Sequence, residues 1–168
     1  MTDKFHDWSK FSKRVSIKAG IQNVYDAWTK QANLEQWFLR LAEFTKPDNS
    51  LRDKDTHVQM GDAYKWMWYG YGDDVVERGR VLDANGKDFL QFTFTGGCIV
   101  SVHIKVEQDE TIAELWQEQI PTDDSAKVQL HISCSIGWTF YLANLKSVLE
   151  GGIDLRNKNE KLVNVINS

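Results

Sequence analysis

The chain has 168 residues, 42% of them hydrophobic and 26% charged, with a net charge of −4. That makes it an ordinary globular chain, read as one domain over 1–168 and able to bury a full core without staples. The 24 acids against 20 bases argue against a nucleic-acid partner, which asks for a basic face, and no run of about 18 apolar residues is present to span a membrane.

Two cysteines, Cys98 and Cys134, show neither CxxC nor metal-ligand spacing and fit a reduced, cytoplasmic setting. The opening MTDKFHDWSK lacks the apolar run of a signal peptide. Seven Trp and eight Phe exceed what a minimal core requires, so some of these rings are expected around a pocket or an interface.

Phe11 to Ala19 alternates, with Val15 and Ile17 on its apolar side, and predicts a half-buried strand ended by Gly20. Ile21 to Lys30 reads as a short helix with Val24, Ala27 and Trp28 on one side. Leu34 to Leu41 reads as a second, with Leu34, Trp37, Phe38 and Leu41 at helical spacing. Phe44 to Asp62 carries Pro47, Asn49 and Asp53 and predicts a long loop, with a short strand near Ala42 to Thr45.

Tyr64 to Tyr69 is a strand with Tyr64, Trp66 and Trp68 on one face, and Tyr71 to Asp74 turns it into a strand over Val75 to Leu82. Asn85-Gly86 is the best short hairpin signal in the chain. Phe89 to Thr95 follows, with Leu90, Phe92 and Phe94 on one face. Gly96-Gly97 then leads into Ile99 to Gln108, where Val100, Val102, Ile104 and Val106 share a face. Asp109-Glu110 turns the chain into Thr111 to Ile120. There Ala113, Leu115, Gln117 and Gln119 are placed inward, and Ile112, Glu114, Trp116 and Glu118 outward. The reverse register stays open because Ile112 and Trp116 are apolar.

Pro121 stops the last strand, and Thr122 to Ser125 are N-cap residues. A helix from there to Gly151 competes with a strand over Val128 to Cys134, which also alternates. Leu130, Cys134, Trp138 and Leu142 keep one helical phase and favour the helix. In GWTFYLANLKSVLEGG, Trp138, Leu142, Leu145 and Leu149 make the apolar stripe, and Asn144, Lys146 and Ser147 take the other side. Lys146 can pair with Glu150, and Gly151-Gly152 end the helix. The tail after Gly152 is expected to pack on an edge or fray. The order predicts an α+β helix-grip fold: a curved antiparallel sheet of six or seven strands around one long C-terminal helix, with two short helices after the first strand.

Several stretches resemble the START-like, or polyketide-cyclase-like (SRPBCC), superfamily. More narrowly, they are similar to the C-terminal domain family of the activator of the heat-shock protein 90 ATPase. They are Val15-Ser16-Ile17 leading into Val24-Tyr25-Asp26-Ala27-Trp28-Thr29, then Leu34-Glu35-Gln36-Trp37-Phe38, then Gly61-Asp62-Ala63-Tyr64, and last Gly137 to Lys146. The resemblance spans nearly the whole chain, and its last stretch is the most specific. It implies the helix-grip fold and a cavity for a small apolar or amphipathic molecule. It implies no single reaction, since its members include carriers, sensors, aromatases, cyclases and chaperone activators.

No GxGxxG, GxxxxGK[ST] or GxSxG is present, and His6, His57, His103 and His131 have no metal-ligand spacing, so no catalytic residue, metal or cofactor is assigned. The pocket candidates are Trp37, Tyr64, Trp66, Trp68, Phe92, Phe94, Gln117, His131 and Trp138: large rings with a few polar tips that need partners. Three functions follow. The first is non-enzymatic binding of an apolar ligand, with a link to the stress response. The second is a cyclase- or aromatase-like enzyme with His131 as general acid or base. The third is a chaperone-facing module with Ile112 and Trp116 on its contact surface. A monomer and a homodimer are equally open.

Overall fold

Alternating side chains build seven antiparallel strands in one sheet, in the order β1-β7-β6-β5-β4-β3-β2. They are β1 (Phe11–Ile17), β2 (Leu41–Thr45), β3 (Ala63–Met67), β4 (Glu77–Ala84), β5 (Phe89–Phe94), β6 (Cys98–Glu107) and β7 (Glu110–Glu118). This computed structural model describes residues 5–167. Two short helices, α1 (Ile21–Thr29) and α2 (Gln31–Trp37), carry the chain from β1 at one edge of the sheet to β2 at the other.

A long helix closes the fold. It starts as α3 (Asp124–Ala126), passes through a π segment over Lys127–Ile132, and continues as α4 (Ser133–Leu149), 26 residues in all. The Asp123 carboxylate caps its start by accepting from Ala126 N at 3.1 Å. Gly151, at φ 80°, ends it, and Gly152 N donates to Ser147 O at 2.7 Å. Helix α4 packs across β1, α1 and α2, and the core lies between this helical layer and the sheet.

Several boundaries move from their predicted positions for identifiable reasons. Lys30 is extended (φ −109°, ψ 132°), which separates the two short helices, and its carbonyl accepts from Leu34 N to start α2 early. Arg40 N then donates to Met67 O at 2.8 Å, so Leu41 opens strand β2 rather than closing a helix. Strand β4 begins two residues later than expected because Val75 N still belongs to a turn on Gly72 O. The β6–β7 turn is centred on Gln108 and Asp109, both at positive φ, the two-residue turn whose twist suits a hairpin.

In β7, Thr111, Ala113, Leu115 and Gln117 are buried, while Ile112, Glu114, Trp116 and Glu118 are half-buried on the outer face. Gln119 is a correction: at φ 59° it leaves the strand and is exposed, and Ile120 turns inward in its place. The long loop before β3 is held by a buried ion pair, with the Arg52 guanidinium forked onto Asp62 and Gln59 N donating to the same carboxylate at 2.9 Å.

Candidate functional site

Helix α4 presents Trp138 to the open end of the sheet. Trp138 is 3% exposed, and its indole Nε1 donates to Gln117 Oε1 at 2.9 Å. Gln117 is itself fully buried, and its Nε2 donates to Leu130 O in the π segment at 3.2 Å. One amide on β7 thus ties two turns of the helix to the sheet. The Trp138 ring packs against Phe38 at 5.1 Å, Phe94 at 5.4 Å and Trp28 at 6.0 Å. Trp66 and Trp68 are not among these ring neighbours. The chain after α2 folds Phe38 between helix and sheet and takes that place.

Beside Trp138 a mouth of about 250 Å³ opens between the helix and the sheet. Its walls are aromatic: Phe38, Trp68, Phe94, Trp138 and Tyr141. The loop before β4 contributes Tyr71 and Val75, and the helix contributes Ser133, Cys134 and Gly137. Glu77 at the start of β4 and Thr95 after β5 supply polar groups at the sheet side. A larger hollow of about 760 Å³ lies between residues 69–73 and the tail over 157–167, and shares Tyr71 with the mouth.

Of the nine sequence candidates, the structure brings Trp68, Phe94 and Trp138 to the mouth. Trp37, Tyr64, Trp66 and Phe92 are core residues. Trp37 Nε1 donates to Ala27 O at 2.8 Å, and Tyr64 stacks on Trp66 at 3.8 Å while its hydroxyl donates to Thr93 O at 2.5 Å. Gly79 lies against the Tyr64 ring, where no side chain has room. The indole nitrogens of Trp28 and Trp66 are buried without a hydrogen-bond partner. Gln117 supports Trp138 from beneath.

His131 is buried but turned to the N-terminal segment: Nδ1 meets Trp8 O and Nε2 meets His6 Nε2, each at 3.0 Å. Trp8 and Phe11 edge the same imidazole. Its two ring nitrogens are thus engaged away from the mouth.

Burial raises the Glu77 carboxyl above its ordinary range, against a hydrogen bond from Thr95 that lowers it. Burial likewise raises the Cys134 thiol, against a hydrogen bond with Gln117, and the Tyr141 phenol. Among the described residues no group of three or more His, Cys, Asp or Glu is placed to hold a metal. Among the described residues no helix is long and apolar enough to cross a membrane.

Sequence reasoning missed two residues that frame the site from behind. Asn144, assigned to the solvent side of the helix, is fully buried. It donates to Trp37 O at 2.7 Å and to Asp154 Oδ1 at 3.0 Å, and accepts from Leu155 N at 2.7 Å. Arg156, in the tail expected to pack or fray, is 6% exposed and donates to Leu39 O and Glu35 O at 3.0 Å. For Asp154, burial raises the carboxyl, but hydrogen bonds from Arg156, Lys158 and Asn144 outweigh it and hold it well below the usual range. Asn144 lies two positions from Leu142 and one from Leu145, where the apolar stripe is wide enough to take in a neighbour.

The family described as activator of Hsp90 ATPase homolog 1-like protein matches residues 18–150. No curated protein matches the sequence. The fold is similar to that of protein SSP2350 from Staphylococcus saprophyticus, with a TM-score of 0.69 and 14% identity, covering 88% of this chain and 96% of that one. It is also similar to Aha1 from Colwellia psychrerythraea, described as a dimer, with a TM-score of 0.64 and 17% identity over 85% of this chain and 97% of that one. DynU16, from the dynemicin biosynthetic locus, gives a TM-score of 0.65 and 21% identity, covering 89% of this chain and 50% of that one. At these identities the likeness is one of fold.

Proposed function

Because the chain belongs to the activator of Hsp90 ATPase homolog 1-like family, within the START-like superfamily, we propose that it binds a small, largely apolar molecule between helix and sheet without converting it. The observation that carries this reading is the aromatic mouth beside Trp138, about 250 Å³ with six aromatic residues on its walls. The engagement of both His131 nitrogens by the N-terminal segment counts against the cyclase-like alternative, since it takes the named general acid or base out of reach.

Gly137 makes the reading testable. It lines the mouth, and a Cβ built there meets nothing within 4 Å. Gly137→Leu therefore fills the mouth from within a helix, where leucine is the better former. Wild type is expected to take up one equivalent of N-phenyl-1-naphthylamine with a rise in fluorescence. Gly137→Leu is expected to lose the signal while keeping its circular dichroism. Equal uptake by the two would defeat the proposal.

The family description favours a second reading, a partner-facing role for the outer face of β7. Ile112 and Trp116 are half-buried there on one side of the strand, and Trp116 Nε1 is tied to Glu114 at 2.8 Å. Adding the chain to purified Hsp90 tests it: stimulated ATPase that Trp116→Ala weakens supports this reading, and no stimulation rejects it.

A further inference from the structure

Glu77 stands out on the wall of the mouth. It is the one Asp or Glu lining it, and no Lys, Arg or His shares the lining. Aromatic rings carry weakly negative faces and positive edges. A carboxylate and several aromatic walls together attract positive charge, the first by Coulomb attraction in a partly dry site and the second through the ring quadrupoles.

We propose that the molecule bound in this mouth is an organic cation, a protonated amine on an aromatic or branched apolar body, with its charge held by Glu77 and its body by Trp68, Phe94 and Trp138. This rests on the reading of the mouth as a ligand site and names the class of ligand. The geometry is consistent from each side. Glu77 opens β4 opposite Trp66, so a well-packed strand fixes its backbone. Thr95 lines the mouth on the same sheet side as this carboxylate. Trp138 is fixed by Gln117, so the apolar wall is also set before a ligand arrives. An anionic ligand would meet Glu77 with no basic residue on the lining to offset it. A neutral one could donate a hydrogen bond to the carboxylate but would lack the Coulomb attraction that a cation adds. The raised Glu77 carboxyl agrees with this: its charge is poorly solvated, and a bound cation would relieve that.

The test is calorimetric titration of the full chain at pH 7 and low salt with three probes of one shape: 2-phenylethylamine, 2-phenylethanol and 3-phenylpropionate. The amine is expected to bind about tenfold tighter than the alcohol, a difference of about 1.4 kcal/mol, with the carboxylate weakest. Glu77→Gln should bring the amine to the level of the alcohol and leave the alcohol's Kd within about twofold. Gly137→Leu should abolish binding of both. The inference is overturned if the alcohol binds wild type as tightly as the amine, or if Glu77→Gln leaves the preference intact. It fails alone if N-phenyl-1-naphthylamine binds and none of the three probes does. If that dye also fails, the ligand-site reading falls with it.

Discussion

Truncating Trp138 to alanine removes a side chain that touches three rings and holds one buried amide. Loss of a buried large aromatic costs about 3–5 kcal/mol. Gln117, fully buried, also loses the donor to its Oε1, which adds about 1–3 kcal/mol where water cannot replace it. The adjoining mouth lets water in from one side, so the lower part of the combined range, about 4–5 kcal/mol, is expected. A domain of this kind holds about 5–15 kcal/mol in total, so the variant sits near the edge of folding. Trp138→Phe keeps most of the packing and loses the hydrogen bond, and should cost about 1–3 kcal/mol. Trp116→Ala is the control: its ring is half-buried on the outer face and bonds only a neighbour on its own strand, so about 1 kcal/mol is expected. Urea unfolding followed by far-ultraviolet circular dichroism separates the three. If Trp116→Ala loses as much as Trp138→Ala, the assignment of inner and outer faces in β7 is refuted.

Asn144→Ala should destabilise by about 1–3 kcal/mol for each of the two backbone groups it orphans, Trp37 O and Leu155 N, and hydrogen exchange should show the Leu155 amide released first. Gly79→Ala should cost about 1–3 kcal/mol and lower the thermal midpoint, because its methyl would overlap the Tyr64 ring and Thr93 Oγ1 in the middle of the sheet. Glu77→Gln should raise the thermal midpoint at pH 7. The folded-state carboxyl is raised by burial, so the folded protein binds the proton more tightly than the unfolded chain, and stability falls as pH rises from the unfolded value through the folded one. Below pH 4 both states are protonated and the gap between variant and wild type should close; a gap constant from pH 4 to 7 would contradict the burial of this group.

Much of this architecture was legible because period-2 and period-3.6 patterns are local. The alternation of Val100, Val102 and Ile104 placed β6; in β7 the pattern left two registers open, and the structure has Ala113, Leu115 and Gln117 inward. The helix stripe of Trp138, Leu142 and Leu145 is buried as expected, and Lys146 reaches Glu150 at 2.8 Å. What escaped detection depends on partners distant in the chain. Asn144 looks like a solvent residue until Trp37 O, 107 residues away, supplies its acceptor. His131 looks like a residue of the helix–sheet seam until His6, 125 residues away, meets it. The aromatic residues were correctly counted as too many for a minimal core, but their division between core and mouth depends on Phe38. Where α2 ends, that ring is wedged against Trp66, Trp68, Trp138 and Tyr141, leaving Trp66 inside and Trp68 at the opening. Helical spacing gave no sign of that wedge.

The placement of β1 at the sheet edge has a consequence for synthesis. Phe11 lies opposite Gln117 and Ile17 opposite Thr111, so the first strand of this sheet to be made pairs with the last of its seven. At 5–20 residues per second, the roughly 100 intervening residues take about 5–20 s to appear. During that time β2 to β6 can zip together as neighbouring strands, and α1 and α2 can settle on β5, β6 and β2, while β1 has no β7 to pair with. A nascent chain halted before Glu110 would therefore carry Val15 and Ile17 on an unpaired strand, so β1 is the segment of this fold most dependent on a holding chaperone during its own manufacture.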